Sequence, residues 1–477
     1  MLATFKEEGL KVIFDVDKIE FYLAKDEYFK IVEKMNQGIE LSVEEWKKLE
    51  SVVPYIRKEH GQKLLPKKER INVIAKELNR LTLTVTNNCN MRCSYCYEDS
   101  PEGEKLNFEG ACSMTYDIAC GAIKDALNNY DEVKSIMFFG GEPTLEMPLI
   151  ESICEFISQQ SKKHDKKISL GMITNGTNWS SYIRDVIKKY NISTTVSIDG
   201  PKKIHDTNRI FQKGVGSFDL IAKNTKNMMA ENVSLGIQAT YTFSHLEEDC
   251  DIYSTANFLY DCFNVRDPHI VVAQFKEPKD HEKYSSKDLI YSYLDSYKKN
   301  LDSILNGDIE KVRANSMLVG FLNKIILKRP YDMICPAGME IAVSPNGDYY
   351  PCFMFIDEQQ KDYKLGSVVE GINKEYWDKL DSFILHNFKQ NRSECTDCFA
   401  KSVCNGCIGA NYNRWGDISK NEPEHCELIK KSLRFFILYF ARLYKDKTKM
   451  ERFKRNYADL LDKLNISSKA TTSSVIL

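Results

Sequence analysis

The run Leu81-Thr82-Leu83-Thr84-Val85-Thr86 alternates apolar and polar residues and is rich in β-branched ones, the pattern of a strand. The chain then passes directly into Cys89, Cys93 and Cys96, spaced C-x3-C-x2-C. Three thiols therefore sit on a loop leaving a strand end, and the fold has to present that loop. Three thiolates can hold three irons of a 4Fe–4S cube and leave the fourth iron without a protein ligand. An iron with an open position can bind substrate or cofactor, so the pattern points to a reactive cluster rather than an electron wire. Two plainer readings stand beside it, a zinc site and ordinary buried thiols. Structural zinc takes four ligands, usually as two close pairs, and no partner pair with that spacing follows nearby.

Those cysteines have company. The chain holds fifteen cysteines, ten of them in two groups, while Cys112, Cys120, Cys154, Cys250 and Cys262 are scattered and read as buried small hydrophobes. Residues 1–9 are charged and lack the apolar core of a signal peptide. The longest apolar run, Phe435 to Ala441, is too short to span a bilayer. A soluble cytoplasmic protein with no membrane partner is expected. Disulfides do not persist there, so grouped cysteines argue for metal or redox chemistry. With 66 basic and 68 acidic residues the chain has no overall electrostatic footprint for nucleic acid.

A length of 477 residues implies two to four domains. Residues 1–75 form a first unit. Leu10–Val16 and Ile19–Leu23 read as two strands around an Asp17-Lys18 turn. Tyr28, Ile31, Val32 and Met35 follow at helical spacing. Ser42-Val43-Glu44-Glu45 has capping-box form ahead of the apolar face Trp46, Leu49, Val53 and Ile56. This is either a winged-helix-like α+β module or an N-terminal extension packed on the core; the Lys- and Arg-rich segment 57–75 reads as an exposed linker.

Residues 76–330 alternate strand and helix patterns. The strands are expected at 81–86, Ser135–Phe139, Ile168–Thr174, Thr194–Ile198, Ser234–Thr242 and Pro268–Phe275, with helices such as Met114–Asn128 and Leu149–Lys163 between them. Such repetition makes a parallel sheet, open or barrel-like, with chemistry at the C-terminal strand ends. Residues 280–330 read as a charged helical connector, 427–465 as helix and 466–477 as a loose tail.

Three motifs fall at those strand ends. In Phe138-Phe139-Gly140-Gly141-Glu142-Pro143 the glycines admit close backbone approach and the glutamate is placed to hold a cationic amine; alone this is only a glycine turn. The second and third are Ile173-Thr174-Asn175-Gly176-Thr177 and Val196-Ser197-Ile198-Asp199-Gly200-Pro201. Gln238 and Thr240 read as pocket lining only.

The second cysteine group begins at Cys335. Cys335 and Cys352 flank a hairpin, Glu340–Ser344 and Tyr349–Phe353 around Pro345-Asn346-Gly347-Asp348, which brings them near one end. Cys395, Cys398, Cys404, Cys407 and Cys426 follow. One or two structural zincs are the plain reading of their C-x2-C pairs.

Taken together, the cluster loop, with Tyr95 before its last cysteine, and the three strand-end motifs resemble the radical S-adenosylmethionine (SAM) enzymes. The second group resembles the SPASM domain, which holds two auxiliary 4Fe–4S clusters in peptide and protein maturases. The resemblance covers residues about 80–430. It implies an α/β fold: a partial (β/α)6 TIM-like barrel over 76–330, an iron–sulfur SPASM domain over 331–430, and a C-terminal helix and tail over 431–477. It implies SAM and three 4Fe–4S clusters. Cys89, Cys93 and Cys96 would hold the radical-forming cluster. Tyr95, Gly140, Gly141, Glu142, Asn175, Ser197 and Arg209 would form the SAM pocket, with Glu142 at the amino group, Ser197 at the ribose and Arg209 at the carboxylate. Cys395, Cys398, Cys404 and Cys426 would hold one auxiliary cluster and Cys335, Cys352 and Cys407 the other. The x2 gap between Cys404 and Cys407 departs from the family's usual x3. Some relatives have an eighth cysteine shortly before the first; here 327–334 contain none. The second auxiliary cluster would then keep an iron open to a substrate thiolate.

The implied reaction is reductive cleavage of SAM to methionine and a 5′-deoxyadenosyl radical, which takes a hydrogen atom from substrate carbon. A small module before such a core resembles the leader-recognition element of enzymes acting on ribosomally made peptides; it would add a peptide strand to the Ile19–Leu23 edge. The expected activity is thioether formation, of the ranthipeptide maturase kind with sactipeptide maturases close by, on a Cys-rich precursor peptide with an external one-electron reductant. The rival is a sulfatase maturase making formylglycine. Those enzymes carry Asp after the cysteine matching Cys352, where this chain has Phe353. A non-catalytic zinc or iron–sulfur scaffold would explain the cysteine count but not the strand-end motifs.

Overall fold

The computed structural model describes residues 1–53, 76–96, 112–273, 284–356 and 361–464. The expected linker 57–75, the helix-face residue Ile56 and the tail 466–477 lie outside the described residues.

Parallel strands Arg80–Thr86, Ser135–Gly140, Ser169–Thr174, Ser193–Ser197, Leu235–Tyr241 and His269–Val272 pair in the order of the chain. Each crossover advances one place in the same direction. A doubly wound sheet reverses at a switch point; this one does not, which is the winding of a partial barrel. Alternation sorts the side chains. Leu81, Leu83, Val85, Ile136, Phe138 and Met172 face a shared apolar core with the helices Tyr116–Asn129, Met147–His164 and Ser181–Tyr190. Thr82, Thr84 and Thr86 stand on the opposite face of the first strand.

A finding at the domain level is that the hairpin Glu340–Val343 and Asp348–Tyr350 extends this sheet. Glu340–Val343 pairs in parallel with Arg80–Leu83, and Asp348–Tyr350 and Gly366–Ser367 follow antiparallel. The auxiliary cysteine region is therefore continuous with the barrel at its first strand.

The N-terminal unit has three antiparallel strands rather than the two expected. Leu2–Glu7 pairs with Leu10–Asp15, which pairs with Glu20–Leu23. The extra strand breaks simple alternation because Leu2 and Phe5 face opposite sides and both sides are covered. Ile13 and Leu2 share a small core with Phe29, Val32 and Leu49 of the helices Asp26–Asn36 and Val43–Val52, the second started by the expected Ser42/Glu45 capping box. On the other face Leu10, Val12 and Phe14 join the core of the long helix Pro423–Tyr444. The unit thus has its own core and is also docked on the rest of the chain. The C-terminal helix expected over 427–465 is two helices, Pro423–Tyr444 and Lys447–Lys463, with Asp446 capping the second through Lys449 N. Among the described residues no helix is long and apolar enough to cross a membrane.

Candidate active site

The loops leaving the first four strand ends converge. Gly140 has φ +130° and a Cβ there would lie 2.0 Å from the Thr86 carbonyl oxygen; at Gly141 it would lie 2.3 Å from that of Asn88. The Gly141 and Glu142 amides donate to those two carbonyls at 2.9 and 2.8 Å. The glycines therefore let the second strand's turn lie flat against the cysteine loop, a contact no side chain would permit.

Asn175 ties the third strand end to the same loop. Its Nδ2 donates to Asn90 Oδ1 at 2.9 Å and lies 3.8 Å from Cys89 Sγ, while its Oδ1 accepts from Thr177 N and Oγ1. The Met91 amide also donates to Cys89 Sγ, at 3.4 Å. Cys93 lies on the short strand Met91–Cys93, paired antiparallel with Arg209–Phe211, and Arg209 Nη1 stands 3.9 Å from its sulfur. Cys89, Cys93 and Cys96 are all partly exposed. Donors aimed at the partly exposed sulfurs of Cys89 and Cys93 are what thiolate ligands need, which suits an iron–sulfur cluster on this loop.

Two of the expected pocket residues are engaged by the protein's own groups. Glu142 is one. It is fully buried, and its oxygens accept from Thr144 N, Thr144 Oγ1, Thr174 Oγ1 and Asn175 N at 2.6–3.0 Å. Burial raises its pKa even against these donors. It braces the second strand end to the third. Arg209 does meet a carboxylate, but one of the protein's own: its Nε donates to Asp199 Oδ1 at 3.0 Å. Asp199 is fully buried and also accepts from Tyr95 Oη at 2.6 Å and Thr240 N at 3.0 Å. Burial, the largest single effect, would raise the Asp199 pKa; the Arg209 charge, His205 and the hydrogen bonds from Tyr95 and Thr240 together outweigh it and the value falls. Tyr95 thus holds the cysteine loop to the fourth strand end. Ser197, buried at the end of its strand, lies two residues before this pair. Sequence reasoning quoted Asp199 in a motif but gave it no role; its place just beyond a strand end was the available signal.

Cys395, Cys398, Cys404 and Cys426 act electrostatically on one another and line one cavity, which Cys407 lines as well. Burial pushes the Cys404 thiol up to about 11 and Cys426 to about 12. Cys407 acts on Cys335 and Cys352, and Cys335 on Cys352, while burial pushes Cys335 up to about 12. Cys335 accepts from the Ile408 and Ala337 amides, Cys352 from that of Met354, and Cys407 from those of Ala410 and Gly409 at the start of the helix Ile408–Trp415. By surface area all seven are partly exposed, and coordination to a bound cation would deprotonate them. Among the described residues no three or more of His, Cys, Asp and Glu are grouped to hold a single metal ion.

Residues 83–259 match the radical SAM superfamily and 335–399 match the SPASM iron–sulfur cluster-binding domain. The chain carries a radical SAM core and a SPASM domain. It is an enzyme of the radical SAM type. A cysteine-type anaerobic sulfatase-maturating enzyme of Clostridium novyi is 27% identical over 376 residues, 74% of this chain and 94% of that one. The radical SAM cyclopropyl synthase TigE of Paramaledivibacter caminithermalis is 24% identical over 392 residues, 78% of this chain and 76% of that one. A solved structure of native anSMEcpe with bound AdoMet and Cp18Cys peptide superposes with a TM-score of 0.62 at 21% identity, covering 77% of this chain and 98% of that one. The radical SAM core and the SPASM hairpin together therefore form one maturase-like fold.

Proposed function

We propose that this radical SAM/SPASM enzyme forms thioether bonds between cysteine sulfur and carbon within a ribosomally made Cys-rich precursor peptide. In this reading the cofactors are SAM and three 4Fe–4S clusters, and an external one-electron reductant feeds them. When bound at Cys89, Cys93 and Cys96, a cluster with one open iron supplies, with SAM, the radical that removes hydrogen from carbon. The chain's own residues do the rest. The backbone of Gly140 and Gly141 lies against the cysteine loop, where the amino acid end of SAM would sit. Ser197 would meet the ribose, and Arg209, held by Asp199 beside Cys93, offers its remaining guanidinium edge to the SAM carboxylate. The Glu20–Leu23 strand edge of the N-terminal sheet takes the leader peptide as an added strand.

The observation carrying this reading is the action of Cys407 on Cys335 and Cys352, two thiols that do not line the cavity of the other four, although Cys407 does. A cluster held by three cysteines keeps an iron for the substrate thiolate, and iron favours thiolate ligands.

A second reading, oxidation of cysteine to formylglycine, is favoured by the sulfatase-maturating relative. Against it, the residue after Cys352 is Phe353, whose ring packs 4.8 Å from that of Phe139 at the strand end before Gly140. An apolar pair there offers no base. Product mass separates the readings. A thioether loses two hydrogens and keeps the sulfur, whereas formylglycine formation releases it. Cys93→Ala is expected to abolish SAM cleavage, and Cys352→Ala to keep cleavage while losing the cross-link. Normal cross-linking by Cys352→Ala would remove the substrate-thiolate role.

A further inference from the structure

The cavity of Cys395, Cys398, Cys404 and Cys426 is shared by Lys389, which is only 3% exposed. Its ammonium donates to three backbone carbonyls, those of Tyr331, Lys401 and Cys404, the last two at 2.7 Å. Only the charged form has three protons to donate. All three acceptors are neutral. A buried cation held by neutral groups is costly unless negative charge lies close. Burial is the larger effect and pulls the ammonium down to about 8, while Cys404, Cys395, the Asp332 carboxyl and Cys398, once ionised, favour its charged form.

Two more cations stand behind the same set. Arg392 is buried, its Nη2 donates to Asn421 Oδ1 at 2.9 Å, and its Nε has no hydrogen-bond partner. The Asn421 amide in turn lies 3.5 Å from Cys395 Sγ. Lys324 Nζ donates to the Val403 carbonyl at 3.0 Å, one residue before Cys404. Carboxylates are present too: Glu394, which accepts from the Asn421 amide at 2.7 Å, and Glu422, which acts on Cys407, line the same cavity, and Glu340 acts on Cys335 and Cys352.

We propose that Lys389, backed by Arg392 and Lys324, is a positioning residue that raises the reduction potential of the cluster at Cys395, Cys398, Cys404 and Cys426. A desolvated positive charge stabilises the more negative, reduced form. The inference rests on the ligand sets proposed above.

The test is a redox titration of the reconstituted full-length chain, followed by electron paramagnetic resonance. The signal that disappears in Cys398→Ala identifies the site. Lys389→Met is expected to lower its midpoint by about 59 mV, a tenfold fall in the one-electron equilibrium constant. Lys389→Arg should stay within about threefold of the wild type, and Lys324→Met should shift the midpoint the same way by less. An unchanged midpoint in Lys389→Met overturns the proposal. If Lys389→Met takes up no cluster there, Lys324→Met decides: a lowered midpoint supports the proposal, and an unchanged one leaves the lysines purely structural and overturns it. Absence of any Cys398-dependent signal in the wild type overturns the ligand set instead.

Discussion

Glu142 works by being inaccessible. Two of its four donors are backbone amides, which can only donate, so the site needs an acceptor at both oxygens. Glu142→Gln turns one acceptor into a donor facing a donor. The expected cost is about 1–3 kcal/mol, the penalty of a buried unpaired group, together with weaker SAM binding, read by denaturant unfolding and equilibrium dialysis. His205 gives a pH signature. Fully buried, with Nδ1 accepting from the Asp199 amide, it is pushed down to about 4 by burial. The unfolded chain therefore takes up this proton first. Stability contributed by the neutral ring is complete above the ordinary histidine value and is lost as pH falls from there toward about 4, by about 3 kcal/mol in all. His205→Gln should flatten that slope in urea unfolding of the metal-free chain; an unchanged slope would assign it to other groups. At this scale the sequence was legible where chemistry fixes residue type, as at the ten grouped cysteines. It was not legible where a buried charge chooses its partner. Whether Arg209 meets Asp199 or a ligand depends on which strand ends converge, and no spacing records that.

The same contrast holds among elements. All six barrel strands lie where alternation and β-branching put them, within a residue or two at most described ends, because a buried strand must satisfy one simple period. The first strand, Leu2–Glu7, escaped because its two covered faces remove that period. Pairing also settles which backbone groups of Glu20–Leu23 are free to bind a peptide. Ala24 N bonds to Lys11 O, so in this register Tyr22 and Glu20 point their amides inward and Phe21 and Leu23 point theirs outward. Leu23 is exposed. Leu23→Pro removes an outward donor without breaking the ladder to Leu10–Asp15. It should raise KM for the full precursor at least about tenfold, the loss of one or two strand-addition hydrogen bonds, and leave SAM cleavage without peptide unchanged. An unaltered KM would move leader binding off this edge.

Across the whole molecule, the units seen in the sequence are not separable bodies. Phe5 of the N-terminal sheet meets Phe399, next to Cys398, edge-on at 5.3 Å, and Lys328 and Lys401 pair with Glu20 and Asp17. On the other side, Glu340–Val343 pairs along the first barrel strand, and Arg80 and Glu340 form an ion pair at 3.1 Å. A boundary at residue 330, natural from the motifs because a charged helical connector precedes Cys335, cuts through one sheet. Long-range strand pairing leaves no local mark, so that join was invisible in the sequence. It has a consequence for truncation. A chain ending at residue 330 would bare the edge of Arg80–Thr86 and uncover Leu81 and Leu83, which share a core with Ile341 and Val343. An open, apolar edge strand is a template for aggregation. Such a truncation is expected to sediment as aggregate or lose cooperative unfolding, whereas the full chain stays dispersed and melts as a unit. A monodisperse, cooperatively folded 1–330 fragment in analytical ultracentrifugation would show that the barrel closes its own edge. The auxiliary cysteines would then hang from it as a separate domain rather than as its next strands.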